Sequence, residues 1–400
     1  MNLLFVADGR SQIALNWIRY FTETDHEVHL VSTYPCTPEL RLASLTIIPV
    51  GGSELAGSQP STTSGQRARL RKLVPVGVRT ALRQWLGPLT LPGAARRLRA
   101  VVEHTRPDAI HAMRIPFEGM LATQANLTQG KIELPPVVIS VWGNDFTLHA
   151  TVNPRLARLT RQALARADAL HTDCFRDQRA AREWGFVAKK PAIVLPGNGG
   201  IDLEIFYPHT DPSSIQTGAK DEGQIVINPR GIRAYVRNDT FFRAIPLVLT
   251  HKPYVRFLCP WMMEESQALR WVNDLGIGHA VDLLPRQTRP QMAELFRRAQ
   301  VAVSLTEHDG TPNTLLEAMA CGCYPVAGDI ESIREWIIPG VNGSLVAPND
   351  PAQTAQAILG ALEVDAKREV AAVNNIQIVR QRAEYLTCMA QAEAFYRSLR

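Results

Sequence analysis

The sequence predicts an α/β protein built from two doubly wound parallel sheets. Three observations carry this prediction. Short apolar runs alternate with helical stretches along most of the chain, the pattern of parallel strands joined by crossover helices. The alternation breaks over residues 206–224, FYPHTDPSSIQTGAKDEGQ, where Pro, Ser, Thr, Gly and charge replace it, and then restarts. A length of 400 residues, 46% of them hydrophobic and 20% charged, suits two to three ordinary globular domains with a large core.

Taken in order, the candidate strands of the first half are LLFVA, HEVHLVS, SLTIIPV, DAIHA, PVVISVWG, ALHTD and AIVLPG. After the linker come IVINP, YVRFLCP, AVDLLP, VAVSL, YPVAGD and GSLVAP. Apolar runs this short and continuous suit strands buried on both faces. The expected organisation is a Rossmann-like domain over 1–205, a second over 206–379, and a helical tail over 380–400 that can pack on either domain. Ligands in such sheets bind outside the carboxyl ends of the strands, so two facing sheets are expected to share one cleft.

Composition narrows the setting. The start, MNLLFVADGR, has only five consecutive apolar residues before Asp8, too few for a signal sequence, and no run approaches the ~18 apolar residues of a membrane span. A cytoplasmic location is expected. The six cysteines are scattered and lack metal-ligand spacing, which favours buried free thiols. The net charge of +5 is uneven: Arg67, Arg69, Arg71, Lys72, Arg79, Arg83, Arg96, Arg97 and Arg99 stand in a window without acidic residues, and removing these nine leaves the rest at −4. That asymmetry implies an anionic partner for residues 67–99. Val78, Leu82, Trp85, Leu86 and Leu89 recur there at helical spacing, which fits either an interfacial helix at an anionic membrane or a helix packed on its own domain.

The stretch EHDGTPNTLLEAMACG, Glu307 to Gly322, carries the most chemistry. It follows the buried run VAVSL and leads into helix formers, so it is a strand, loop and helix unit. Thr311 is expected to cap that helix and Pro312 to take its first position, where a missing N–H costs nothing. The free amides and positive dipole end of the first turn bind phosphate. Gly310 permits close approach to the backbone. Asp309 stands just before this anion site and Glu317 well into the helix, and each carboxylate can accept from two hydroxyls of a diol. Sugar, diphosphate and ribose fit that order.

DGTPNTLLEAMACGCYPVAGD, GVNGSLVAPNDP, PGNGGIDLEIFYP at the domain junction, INPRG and WGND together resemble the retaining glycosyltransferases of family four, and the resemblance covers nearly the whole chain. It implies the two-domain GT-B fold and a nucleotide-diphosphate sugar as co-substrate. The family hallmark is a pair of glutamates eight residues apart; here Asp309 takes the first place, a shorter side chain of the same charge. The resemblance assigns the donor ribose to Glu317. It gives the transferred sugar to Asp309 with the turn Gly310, Thr311, Pro312 and Asn313 as its surroundings, and the diphosphate to the helix start at Thr314 and Leu315. Arg230 matches the basic residue that neutralises the diphosphate. The partnering lysine of the family has no clean equivalent, and Arg233 or Arg237 can replace it, with a slight preference for Arg237. On the acceptor side it points to Gly9, Arg10 and Ser11, and to Trp142, Asn144 and Asp145, with Trp142 where many members carry a histidine.

The implied chemistry is retaining transfer of a hexosyl group to a glycan, lipid-linked or small-molecule acceptor, the leaving phosphate taking the acceptor's proton. Arg230 and the helix start answer the charge on the leaving group, and Asp309 the charge on the sugar ring. No metal or other cofactor is expected, because no Asp-x-Asp occurs in the chain. No nucleic-acid partner is expected. Two other classes remain open: a nucleotide-sugar epimerase on the same scaffold, although His111, His149 and His171 form no recognisable arrangement in sequence, and a non-catalytic nucleotide-sugar binding protein.

Overall fold

The computed structural model describes residues 1–53, 76–125, 135–208 and 223–400. Most of the expected linker, and Arg67, Arg69, Arg71 and Lys72, lie outside the described residues, as do the side chains of Val78, Arg79, Leu82 and Arg83.

Every expected strand forms. They are β1 (Asn2–Ala7), β2 (Glu27–Ser32), β3 (Ser44–Ile47), β4 (Ala109–Ala112), β5 (Val137–Val141), β6 (Ala169–Thr172) and β7 (Ala192–Val194), then β8 (Ile225–Ile227), β9 (Arg256–Pro260), β10 (Val281–Leu284), β11 (Val301–Ser304), β12 (Tyr324–Gly328) and β13 (Ser344–Val346). The first seven make one sheet in the order β3-β2-β1-β4-β5-β6-β7, and the other six a second in the order β10-β9-β8-β11-β12-β13. All pairings are parallel, with Phe5 opposite His111 in the first sheet and Val303 opposite Val326 in the second. In both sheets the chain works outward from its first strand, then returns to that strand's other side. This reversal leaves a crevice at the strand ends, between β1 and β4 and between β8 and β11.

Two compact units result, Met1–Gly199 with Met389–Arg400, and Gly200–Cys388. The alternation of side chains along strands divides the second core by faces: Val226 joins one apolar cluster, Ile225 and Ile227 the other. Gly200 has φ +116°, and a Cβ there would lie 2.6 Å from the Ala383 carbonyl oxygen, so only glycine fits the start of the second unit.

The helix Val76–Thr105 packs with Leu91, Ala94, Ala95, Leu98 and Val102 on the first core. Trp85, Leu86 and Leu89 are not part of that face; they are exposed, 63%, 48% and 59%. No helix among the described residues is long and apolar enough to cross a membrane.

Candidate functional site

In the second unit Arg230 and Asp309 come together just beyond the ends of β8 and β11. The chain leaves β8 through Asn228, a buried residue whose side chain accepts from the Arg230 amide at 3.1 Å and donates to Asn238 Oδ1 at 2.8 Å. That anchor fixes the start of the arginine. Arg230 Nη2 then donates to Asp309 Oδ2 at 2.7 Å, and both side chains are mostly buried. The other Asp309 oxygen accepts from the Gly310 amide at 3.1 Å, and Ser332 Oγ holds the Asp309 carbonyl at 2.8 Å.

The helix after this turn is Asn313–Ala320, one residue later than expected, with Pro312 at the cap position. Thr311 does not cap it. Its buried Oγ1 instead accepts from Trp336 Nε1 at 3.1 Å, because an indole N–H enclosed in the core needs an acceptor. The helix start consequently has no side-chain cap, and the Asn313 and Thr314 amides stand ahead of the helix's first backbone hydrogen bonds. Two buried side-chain oxygens beside it, Asn313 Oδ1 and Thr314 Oγ1, have no hydrogen-bond partner. Leu315 is buried, its amide bonded to the Pro312 carbonyl at 3.0 Å. Glu317 lies further along the helix, where burial pushes its carboxyl up to about 7 against a small opposing pull from Arg289.

The two candidates for the missing lysine have different surroundings. Arg237 gives Nε and Nη2 to Asp239, at 2.8 and 2.9 Å, and Nη1 to Glu307 at 2.8 Å, so its fork is engaged by two carboxylates. Arg233 is exposed and, among the described residues, donates to the Tyr235 hydroxyl at 3.2 Å.

In the first unit the crevice between β1 and β4 opens into a cavity of about 120 Å³, lined among others by Asp8, Ser11, Tyr34, Arg114, Glu118 and Trp142. Of the residues anticipated from sequence, only Ser11 and Trp142 line it directly. Gly9 is pressed against Ser32, whose Oγ would lie 2.9 Å from a Cβ there. Arg10 pairs with Asp8 through both carboxylate oxygens, at 3.0 and 2.9 Å. Ser11 caps the helix Gln12–Thr22 by accepting from the Ala14 amide. Asp145 is 1% exposed and does not face the cavity; it accepts from Arg114 Nε at 2.8 Å and from the Trp142 amide at 3.2 Å, while Asn144 Oδ1 accepts from Arg114 Nη2 at 3.0 Å. These two residues hold Arg114 and the Trp142 amide. The signal for the missed residues is position: Asp8, Tyr34, Arg114 and Glu118 are polar side chains just beyond buried strands.

A second set was not anticipated. His171 Nε2 lies 2.9 Å from the Leu195 carbonyl oxygen, which can only accept, so that nitrogen carries the proton. Its neutral ring then accepts at Nδ1 from Ser140 Oγ, which takes the Nε2–H of His111, which accepts at Nδ1 from Tyr396, whose oxygen takes Trp17 Nε1–H. Burial holds His171 down at about 4 and His111 well below the usual histidine range, consistent with two neutral rings. The chain is buried from end to end and serves structure. His149 is no member of it.

Asp173, Cys174 and Asp177 bring three potential ligand atoms within 4.8 Å of one another. Arg176 already contacts Asp177 at 2.6 Å, and burial drives the Cys174 thiol far upward, away from the thiolate a metal needs. All six cysteines are free thiols.

Residues 8–197 match the family described as glycosyl transferase 4-like domain, and residues 232–364 the one described as glycosyl transferases group 1. A D-inositol 3-phosphate glycosyltransferase of Catenulispora acidiphila is 26% identical over 188 residues, 44% of this chain and 45% of that protein. Another, of Mycolicibacterium paratuberculosis, is 33% identical over 183 residues, 44% of this chain and 41% of that one. The aligned part is thus somewhat under half the length of these curated relatives. Among solved structures, sucrose-phosphate synthase of Thermosynechococcus elongatus superposes with a TM-score of 0.74 at 16% identity, covering 100% of this chain and 99% of that one. Anabaena HepE in complex with UDP superposes at 0.73 and 16% identity over the full length of both chains. The two parallel sheets, their switch points and the two family matches in tandem lead to one conclusion: the chain belongs to the family-four glycosyltransferases and has the GT-B fold.

Proposed function

We propose that the chain is a retaining, metal-independent hexosyltransferase that moves a sugar from a UDP-sugar to a hydroxyl of a glycan, lipid-linked or small-molecule acceptor. The observation that carries this reading is the Arg230–Asp309 pair beside an uncapped helix start with two unpartnered buried oxygens. A diphosphate suits the helix amides and Arg230, a ribose diol suits Glu317, and the transferred sugar suits Asp309 and the Gly310 turn. As the bond to the leaving phosphate breaks, Arg230 and the helix dipole answer the growing negative charge. The leaving oxygen takes the acceptor's proton, so no side-chain base is needed on the acceptor side. Uridine is favoured as the base because HepE, of the same fold, was solved with UDP and with UDP-glucose. Thermal-shift titration with UDP-, GDP- and ADP-glucose tests the donor site: UDP-glucose is expected to raise Tm, and to lose that effect in Glu317→Ala. If none of the three shifts Tm, the reading falls. Incubation with donor alone separates transfer from epimerisation, since only an epimerase interconverts the sugars without acceptor.

A specific observation supports a place of work as well. The exposed Trp85, Leu86 and Leu89, on the same helix as Arg96 and Arg97, suit the cytoplasmic face of an anionic membrane, where a lipid-linked acceptor would be presented.

A further inference from the structure

We propose that the cavity between β1 and β4 receives an uncharged, polyhydroxylated acceptor group, such as an unphosphorylated sugar or cyclitol, and discriminates against its phosphate monoester. This rests on the glycosyltransferase reading, which makes the cavity the acceptor side.

The arginines here are already neutralised. Arg10 sits between two lining residues: both oxygens of Asp8 accept from its Nε and Nη2, and its guanidinium carbon lies 3.6 Å from the centre of the Tyr34 ring. Arg114 gives Nε to Asp145 and Nη2 to Asn144. The turn after β1, which in another sequence would form an anion site at the start of the helix Gln12–Thr22, uses its amides internally. Gly9 N donates to Ser32 Oγ at 3.0 Å, Arg10 N to Asp8 Oδ1 at 3.0 Å, and Ser11 N to the Asp8 carbonyl at 2.9 Å. Ser11 Oγ takes the Ala14 amide. Asp8 and Ser32 thus already hold the amides of Gly9, Arg10 and Ser11.

Glu118 adds a second lining carboxyl, 3% exposed, to which Thr33 Oγ1 donates at 2.6 Å. A phosphate monoester entering this cavity would face the carboxyl groups of Asp8 and Glu118, and each guanidinium beside it already has a carboxylate partner that offsets its charge. Hydroxyl groups meet no such penalty, because carboxylates accept from them and the flat face of Trp142 suits a sugar ring. The charge balance that repels phosphate therefore leaves a neutral polyol well served.

The test is saturation-transfer NMR on the full chain with matched pairs: glucose against glucose 6-phosphate, and myo-inositol against inositol 3-phosphate. The parent of at least one pair is expected to bind about tenfold or more tightly than its ester, with its signal reduced in Trp142→Ala. Asp8→Asn, a substitution at a half-exposed side chain that releases Arg10, is expected to shrink the discrimination at least threefold. An ester that binds as well as its parent, absence of binding by both members of both pairs, or discrimination unchanged in Asp8→Asn would overturn the inference. Donor binding, read separately by thermal shift with UDP-glucose, keeps the two readings apart. Sugar discrimination without donor binding would sink the transferase reading, and donor binding with a preference for the ester would sink this one.

Discussion

Arg230 and Asp309, 79 residues apart in sequence, meet as an ion pair of 2.7 Å where β8 and β11 end. The pair couples the two halves of the proposed donor site, because the arginine needed by the leaving diphosphate is the one that holds the carboxylate needed by the sugar. Before a donor arrives, each keeps the other from being a buried, uncompensated charge.

That coupling sets the signs for two substitutions. Arg230→Ala is expected to lower turnover by about a hundredfold or more, the usual loss when one good electrostatic donor to a transition state is removed. Asp309→Ala releases Arg230, so UDP affinity should stay level or rise while sugar transfer is lost. Titration calorimetry with UDP beside a turnover assay decides: a clear loss of UDP affinity in Asp309→Ala would contradict this division of labour.

Glu317 should make donor binding depend on pH. Burial raises its carboxyl from 4.5 to about 7, and the ribose hydroxyls want the ionised form. UDP affinity is therefore expected to fall by up to about tenfold per pH unit below 7, and to lose this dependence in Glu317→Gln. Stability runs the other way. Between pH 4.5 and 7 the folded protein holds this proton more firmly than the unfolded chain, so Glu317 contributes a loss of stability as pH rises through that window. Glu317→Gln should consequently raise Tm at pH 8, by a stabilisation of no more than about 3 kcal/mol, and leave it nearly unchanged at pH 4.5. A Tm gain that is equal at both pH values would show that the carboxyl is not desolvated as described.

The buried histidine chain predicts the opposite response to acid. His171 is held at about 4 against an ordinary 6.5, so the unfolded state binds its proton more readily, and stability is lost as pH falls from 6.5 towards 4. His111 adds to this in the same direction. Tyr396→Phe removes the hydroxyl that serves both Trp17 and His111 and should cost about 2 kcal/mol in chemical denaturation, the penalty for leaving buried groups unpaired. Nitrogen-15 NMR should find both rings as Nε2–H tautomers. A Nδ1–H tautomer on either ring would reverse the direction assigned to the chain.

What the sequence made legible follows from the range of the interactions. Runs such as VAVSL or PVVISV state their burial locally, and each became a strand where its apolar residues stand. The turn proposed to hold the donor is legible for the same reason, as glycine, proline and carboxylates within one stretch. Its helix start differs from the expected one because Thr311 answers to Trp336, 25 residues on, and nothing local announces that partner. The histidine chain joins Trp17, His111, Ser140, His171 and Tyr396 across strands and the C-terminal helix, a pattern with no sequence period to detect. Asp145 illustrates the middle case: its loop stands out in the sequence, yet only the fold shows that its carboxylate is bonded to Arg114.

The exposed side of the helix Val76–Thr105 supports a final prediction. Trp85 and Arg96, and likewise Leu86 and Arg97, stand eleven residues apart, about three turns, so each pair falls on one side of the helix. All four are exposed, whereas Leu91, Leu98 and Val102 carry the packing on the core. Arg97 also donates to the Ile47 carbonyl at 2.9 Å, which ties this side of the helix to the edge strand β3. Fully burying a large apolar side chain is worth roughly 1.5–3 kcal/mol, and each basic residue near an anionic surface adds roughly 1 kcal/mol. The protein should therefore co-sediment with anionic vesicles at low salt, less at high salt, and little with neutral ones. Replacing Trp85 and Leu89 together by alanine should lower the anionic partition about tenfold or more while leaving turnover on a water-soluble acceptor intact. If the protein stays in solution with anionic vesicles at low salt, or binds both kinds equally, the membrane does not present the acceptor and the exposed residues serve another contact.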